Sequence, residues 1–157
     1  MQKLASATRL VVIAMAVSAL ACGADTTRPV PSIAGTWTLV SVNGAPLPVT
    51  LQNASPKLDL TAEDLIVGAN GTFQQQRIVR SVDAGETREL YGATAGTYES
   101  YYALHVFHFP GVGITTTADI TGDTMTVTSP GNSFTYQING SAVYAGLASI
   151  TMVYVKR

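Results

Sequence analysis

The chain of 157 residues has one cysteine, one tryptophan, two histidines and only 12% charged residues. A lone cysteine cannot close a disulfide within the chain, and it cannot supply a thiolate set for zinc. No G-x-S-x-G nucleophile turn, no phosphate-binding loop and no dinucleotide fingerprint occurs. No uncharged apolar run reaches the ~20 residues that a membrane-spanning helix needs. Residues 33–157 contain no apolar stripe of 3.6-residue period and no basic stripe, which argues against a helical bundle and against nucleic-acid binding.

The N-terminus is the one place with a sustained apolar run. Lys3 and Arg9 precede the uncharged stretch "LVVIAMAVSALA" at 10–21, and small residues end it. A basic start, a short apolar segment and a small-residue cut site predict a secretory signal peptide over 1–21. "ALAC" at 19–22 resembles the bacterial lipobox, which implies cleavage before Cys22 and acylation of its thiol. Ala19-Leu20-Ala21 also fits an ordinary A-x-A cut, so soluble secretion is the alternative. In an oxidising compartment an unpaired thiol is a liability, and a cysteine found only at the cut is accounted for if it carries lipid. By analogy with the sorting of bacterial lipoproteins, Gly23 in place of an aspartate after the cysteine implies the outer membrane, with the domain facing the periplasm or the cell surface. Residues 22–32 hold one Gly, two Thr and two Pro, carry no periodic apolar face, and read as a tether. Removing Lys3 and Arg9 with the signal peptide leaves 7 basic against 10 acidic residues, a net charge of −3.

Residues 33–157 form one predicted domain. Short alternating runs are separated by turn residues: Asn-Gly at 43–44, 70–71 and 139–140, Asp83-Ala84-Gly85, Gly122-Asp123, and Pro130-Gly131-Asn132. The runs place strands over 36–42, 57–60, 65–67, 72–82, 86–91, 96–109, 114–120, 124–129, 133–138 and 142–155, the last interrupted near Gly146. Glu63-Asp64 reads as a solvated turn between two of these strands. Strands at this spacing predict an all-β, antiparallel up-and-down β-barrel of about eight strands.

The opening of the first strand narrows the class. Gly35-Thr36-Trp37 resembles the G-x-W signature of lipocalins. The stretches "GTWTLVSVNGAPLP" at 35–48, "ANGTF" at 69–73, "GTY" at 96–98 and "MVYVKR" at 152–157 together are similar to small bacterial lipocalin-like lipoprotein domains. The resemblance implies a barrel whose floor is closed by Trp37. In that family a late Arg stacks on the indole; here Arg80 and Arg88 fall too early for it, and Lys156 or Arg157 is only a loose substitute.

Candidate chemistry is sparse. His105 and His108 lie three apart on an alternating segment, so they are expected on opposite faces and unable to share a metal. Asp119 and Asp123 flank a turn and read as a surface hairpin. The aromatic residues are more suggestive: Tyr98, Tyr101, Tyr102, Phe107 and Phe109 fall on one segment, with Tyr101, His105, Phe107 and Phe109 expected on one face and Tyr98, Tyr102 and His108 on the other. With Trp37 they are the candidate contacts for a small hydrophobic ligand inside the barrel. The alternative is a packed barrel acting as a structural or protein-interaction module of the envelope. No acid, base and nucleophile converge, so the chain reads as non-enzymatic, without cofactor or metal. Its expected partners are the membrane through Cys22 and a small hydrophobic ligand; no protein partner can be named.

The anchor has a direct test. Cys22→Ser is expected to move the protein out of the membrane fraction and to abolish labelling by a fatty-acid probe. A wild-type protein found soluble, cleaved after Ala21 and with Cys22 unmodified, would establish ordinary secretion.

Overall fold

The computed structural model describes residues 32–110, 114–138 and 141–157. The expected signal peptide, and the expected tether apart from Ser32, lie outside them, as does the Asn-Gly turn at 139–140. The chain forms ten strands: β1 (Gly35–Val42), β2 (Ala45–Pro46), β3 (Val49–Gln52), β4 (Lys57–Val67), β5 (Thr72–Asp83), β6 (Glu86–Tyr101), β7 (Leu104–Phe109), β8 (Ile114–Thr121), β9 (Thr124–Ile138) and β10 (Ser141–Lys156). From β4 to β10 every strand pairs antiparallel with its sequence neighbour, and β1 pairs with both β10 and β4. The result is a closed, eight-stranded, antiparallel up-and-down barrel of the lipocalin-like kind, with β2 and β3 as short additions outside the ring.

Closure follows from hairpin chemistry. Two-residue turns join neighbouring strands and match the right-handed strand twist. Asn43 and Gly44 both take positive φ, as do Ala84 and Gly85, while Gly122 alone does so in its turn. The Asn70-Gly71 turn differs from expectation. Only Gly71 has positive φ, and the Asn70 side chain accepts hydrogen bonds from the Thr72 backbone N–H and hydroxyl at 3.3 and 2.7 Å. A local side-chain turn replaces the mirror-image backbone turn there.

Several strands are longer than their local patterns suggest. Residues 57–67 are one strand with no turn at Glu63-Asp64. A bulge between Leu60 and Ala62 absorbs one residue of β4 and switches the alternation, so Leu58 and Leu60 point inward before it and Glu63, Leu65 and Val67 after it. Residues 86–101 are likewise continuous. The 96–109 segment is a hairpin, because Tyr102 and Ala103 form a turn closed by the Tyr101–Leu104 pair. β9 runs through Pro130 and β10 through Gly146 without a break in register. Among the described residues, Pro130 lies beyond Thr128, where the β9 pairing with β8 stops and the ladder neighbour is β10. A proline is tolerated on such an edge.

The core lies on the barrel axis. Leu39, Leu58, Leu60, Val79, Phe107, Met125, Ile150 and Tyr154 are all buried. Gly96 shows how tight the wall is. A Cβ there would lie 2.2 Å from the His108 carbonyl oxygen and 2.7 Å from two carbons of the Phe73 ring. The ring lies where a side chain would stand, so only glycine fits. On the outer face, Asp59 accepts from Thr50 Oγ1 at 2.7 Å and Arg80 Nη2 at 2.9 Å, and Lys57 Nζ is 3.2 Å away. These partners hold its carboxyl at about 2, below its usual 3.8.

Gly96→Val is expected to destabilise the barrel by about 2 kcal/mol or more through overpacking against backbone that cannot yield. Gly92→Ala, on the same strand with nothing within 4 Å of its Cβ position, is expected to be neutral or mildly stabilising. Denaturant unfolding of the two variants checks the contrast.

Candidate functional site

Three of the described turns, at 68–71, 102–103 and 122–123, share one end of the barrel with the start of β1 and the end of β10. This end is the floor. Trp37 projects inward from β1 and is 1% exposed. Its indole N–H donates to the Ile33 carbonyl at 2.8 Å, which satisfies the only polar group of the ring. Ile33 is itself buried, so the chain entering β1 folds under the indole as a plug. Directly across the ladder, Lys156 places Nζ over the Trp37 ring, 5.2 Å from its centroid. Such a contact contributes about 0.5–2 kcal/mol, depending on exposure. Gly35 makes room for it: a Cβ would lie 3.0 Å from Lys156 Cε, and φ at this residue is 137°. The glycine and tryptophan of G-x-W thus act together. One admits the lysine and the other receives it. Arg157 instead reaches outward, with Nη2 3.8 Å from Asp64 Oδ1.

Above the floor sits an aromatic group. Phe73 meets Phe107 and Phe109 edge-on, with centroids 5.2 and 4.9 Å apart, and Tyr98 stacks on Phe107 at 5.6 Å. Tyr98 OH donates to the Gly68 carbonyl at 2.9 Å, tying β6 to the β4–β5 turn. Tyr98 and Phe107 were expected on opposite faces. They are cross-strand partners on the inner face, because the two-residue turn between them changes which residue parity points inward. Tyr101 and Tyr102 lie outside the barrel at the turn itself, 55% and 72% exposed.

The largest departure from the sequence reading is a polar layer inside the barrel. Glu63, expected at a solvated tip, is 1% exposed. Its Oε1 accepts from Gln75 Nε2 at 2.6 Å and from Tyr154 OH, and its Oε2 accepts from Arg77 Nε. The Gln75 amide also approaches Tyr154 OH at 3.4 Å. Burial, followed by the neighbouring Glu63 charge, pushes the Tyr154 phenol well above its usual value, so it stays protonated and remains a donor. Alternation of β5 puts Gln75 and Arg77 inward, a signal present in "TFQQQRIVRSV". For Glu63 no local signal exists, since the bulge decides its direction.

Two further polar atoms face inward without partners. Gln75 Oε1 and Thr116 Oγ1 are buried and accept no hydrogen bond among the described residues. On the inner side of β6, Gly92 pairs with Arg77 and is exposed, with open space at its Cβ position. Among the described residues, nothing covers this part of the inner face beside the charged pair.

His105 points inward and is 3% exposed, with Nδ1 2.8 Å from Ser100 Oγ, while His108 is half-exposed on the outer face. Burial lowers the His105 pKa, which favours the neutral imidazole. No group of three or more His, Cys, Asp or Glu side chains able to hold a metal occurs among the described residues. Asp123 is exposed in the β8–β9 turn, and Asp119 is exposed within β8, paired with Leu104 and Thr126.

Comparison with known proteins finds no matching family model, curated protein or solved structure. Function must therefore be argued from the site. A buried ion pair gives little net stability, because desolvation offsets its attraction. The interior of a small barrel could have been filled with apolar side chains at no loss. The layer of Glu63, Gln75, Arg77 and Tyr154 offers instead fixed donors and acceptors in a low-dielectric space next to an aromatic wall.

Glu63→Leu takes the carboxylate from Arg77 and Tyr154 and is expected to cost about 3–5 kcal/mol. Adding Arg77→Met to that variant should restore most of the loss, as coupling between contacting residues requires. Denaturant midpoints of the two variants give the result.

Proposed function

We propose that the protein is an exported, membrane-tethered lipocalin-like barrel that binds a small hydrophobic ligand in its interior and does no chemistry on it. The observation that carries this is the pair of buried acceptors, Gln75 Oε1 and Thr116 Oγ1, left without partners on the inner face of a barrel where, among the described residues, nothing covers Gly92. An unsatisfied buried acceptor costs about 1–3 kcal/mol, and a bound molecule with a donor group would remove that cost. Phe107, Phe109 and Tyr98 offer the apolar wall for the rest of the ligand, above the Trp37 floor. Pockets of this kind combine an apolar lining with a few placed polar groups. Anchoring through Cys22 would keep the barrel at the outer membrane, where hydrophobic molecules must cross water between surfaces.

The second reading is a packed barrel whose outer surface serves as a structural or protein-interaction module. The near-complete burial of Trp37, Leu60, Phe107 and Met125 favours it.

Trp37 is the only tryptophan and lies in the floor, so its fluorescence reports on the interior. Titration with fatty acids, fatty alcohols and apolar dyes is expected to give a saturable change with at least one of them. Gln75→Leu should weaken that response. No response to any probe, together with a Gln75→Leu variant more stable than wild type, would establish the packed barrel.

A further inference from the structure

The turn between β6 and β7 carries side chains that a solvated hairpin does not need. Tyr101 and Leu104 form its closing pair, and Tyr102 and Ala103 its loop. Tyr101, Tyr102 and Leu104 are 55%, 72% and 40% exposed. Tyr102 has φ of 56°, a left-handed conformation that glycine and asparagine adopt readily and a bulky aromatic does not. The comparable turns of this chain give positive φ to Asn43 and Gly44, to Ala84 and Gly85, and to Gly122. Only here does an aromatic residue occupy such a position among the described residues, and it is held in water. Backbone strain of this sort concentrates at functional positions.

The location of the tip indicates what it meets. It lies at the floor end, with the turns at 68–71 and 122–123 and with Ser32, where the N-terminal segment enters the domain. Cys22 precedes Ser32 by ten residues, which reach about 35 Å at most. A barrel held by lipid on Cys22 is therefore tied to the bilayer by the end that carries the tip. Tyrosine suits the boundary between headgroups and acyl chains, since its ring is apolar and its hydroxyl stays hydrated. Two carboxylates border the tip: Glu99 is engaged by the Tyr101 hydroxyl, and Asp119 is exposed opposite Leu104 on β8, where it stays in the hydrated headgroup region.

We propose that the tip formed by Tyr101, Tyr102 and Leu104 seats in the interfacial layer of a lipid bilayer and sets the barrel floor-down on the membrane, with the uncovered inner face at Gly92 turned away. The orientation rests on the anchored reading above; the contact itself does not.

The test uses the full chain with either Tyr102→Trp or Tyr91→Trp, read against the shared Trp37 signal. Tyr91 is 74% exposed on the outer face of the same strand, away from the turn, and serves as the control. Each variant is mixed with vesicles of phosphatidylethanolamine and phosphatidylglycerol that include lipid brominated high on its acyl chains. The Tyr102→Trp emission is expected to shift to the blue and to fall about twofold, with Tyr91→Trp unaffected, as interfacial seating requires. Excess lipid lets the contact be read whether or not Cys22 is acylated, and the mass of the N-terminal peptide reports the acylation separately. Equal quenching of the two variants, or none in either, would overturn the proposal. So would a blue shift of Tyr102→Trp that needs no lipid and grows with protein concentration, which would assign the tip to a second copy of the chain.

Discussion

The ladder between β1 and β4 is the interaction on which the rest of the molecule depends. Residues 35–38 pair with 64–67, and this short antiparallel contact turns a twisted sheet into a ring. Without it, β1 and β4 would be open edges with unpaired backbone groups, and the inner face would lie in water. With it, Trp37 is set opposite Leu65 and Lys156 at once, and the indole closes the end of the ring that the ladder creates. Thr38 adds a side-chain bond to Asp64 at 2.7 Å, and the C-terminal residue returns to the same place through the Arg157 N–H on the Thr36 carbonyl at 3.0 Å.

Closure also creates the environment in which the polar layer acquires its properties. Glu63, Gln75, Arg77 and Tyr154 come from β4, β5 and β10, which are neighbours only because β1 bridges the two ends of the sheet. Once enclosed, the carboxylate is exchanging hydrogen bonds with water for bonds with three fixed donors. That exchange brings little stability, but it holds the donors in defined directions. The two ends of the barrel then have different characters. The floor is sealed by an aromatic plug and bears an apolar tip outside, while the interior above it is partly polar and, among the described residues, uncovered beside Gly92.

Much of this architecture was legible in the chain. The turn dipeptides and alternating runs gave an all-β hairpin series, and Gly35-Thr36-Trp37 marked the strand that closes it. His105 and His108 point to opposite faces as their spacing required. The misreadings have a common origin. Local patterning predicts a turn at Glu63, opposite faces for Tyr98 and Phe107, and a break in each of the strands over 86–101 and 124–138, none of which the structure has. In every case a residue's direction or a strand's continuity depends on what happens several residues away: a bulge at Leu60, a two-residue loop at Tyr102, a neighbouring strand that spans a glycine or proline. Local alternation has a period of two, so one inserted residue inverts every position beyond it.

The order of polar and apolar residues, together with the glycines and asparagines that accept left-handed backbone, was enough to determine a meander of antiparallel strands and the place of its indole. These are properties of neighbours in sequence, fixed by sterics and by the strand's own periodicity. Which polar groups would lie inside, that a carboxylate would meet a guanidinium and a phenol there, and that two tyrosines would stand outside at the floor end were decided by the tertiary structure. Those outcomes depend on register across a closed ring, where bulges and turns far apart in the chain must agree before any side chain has a direction.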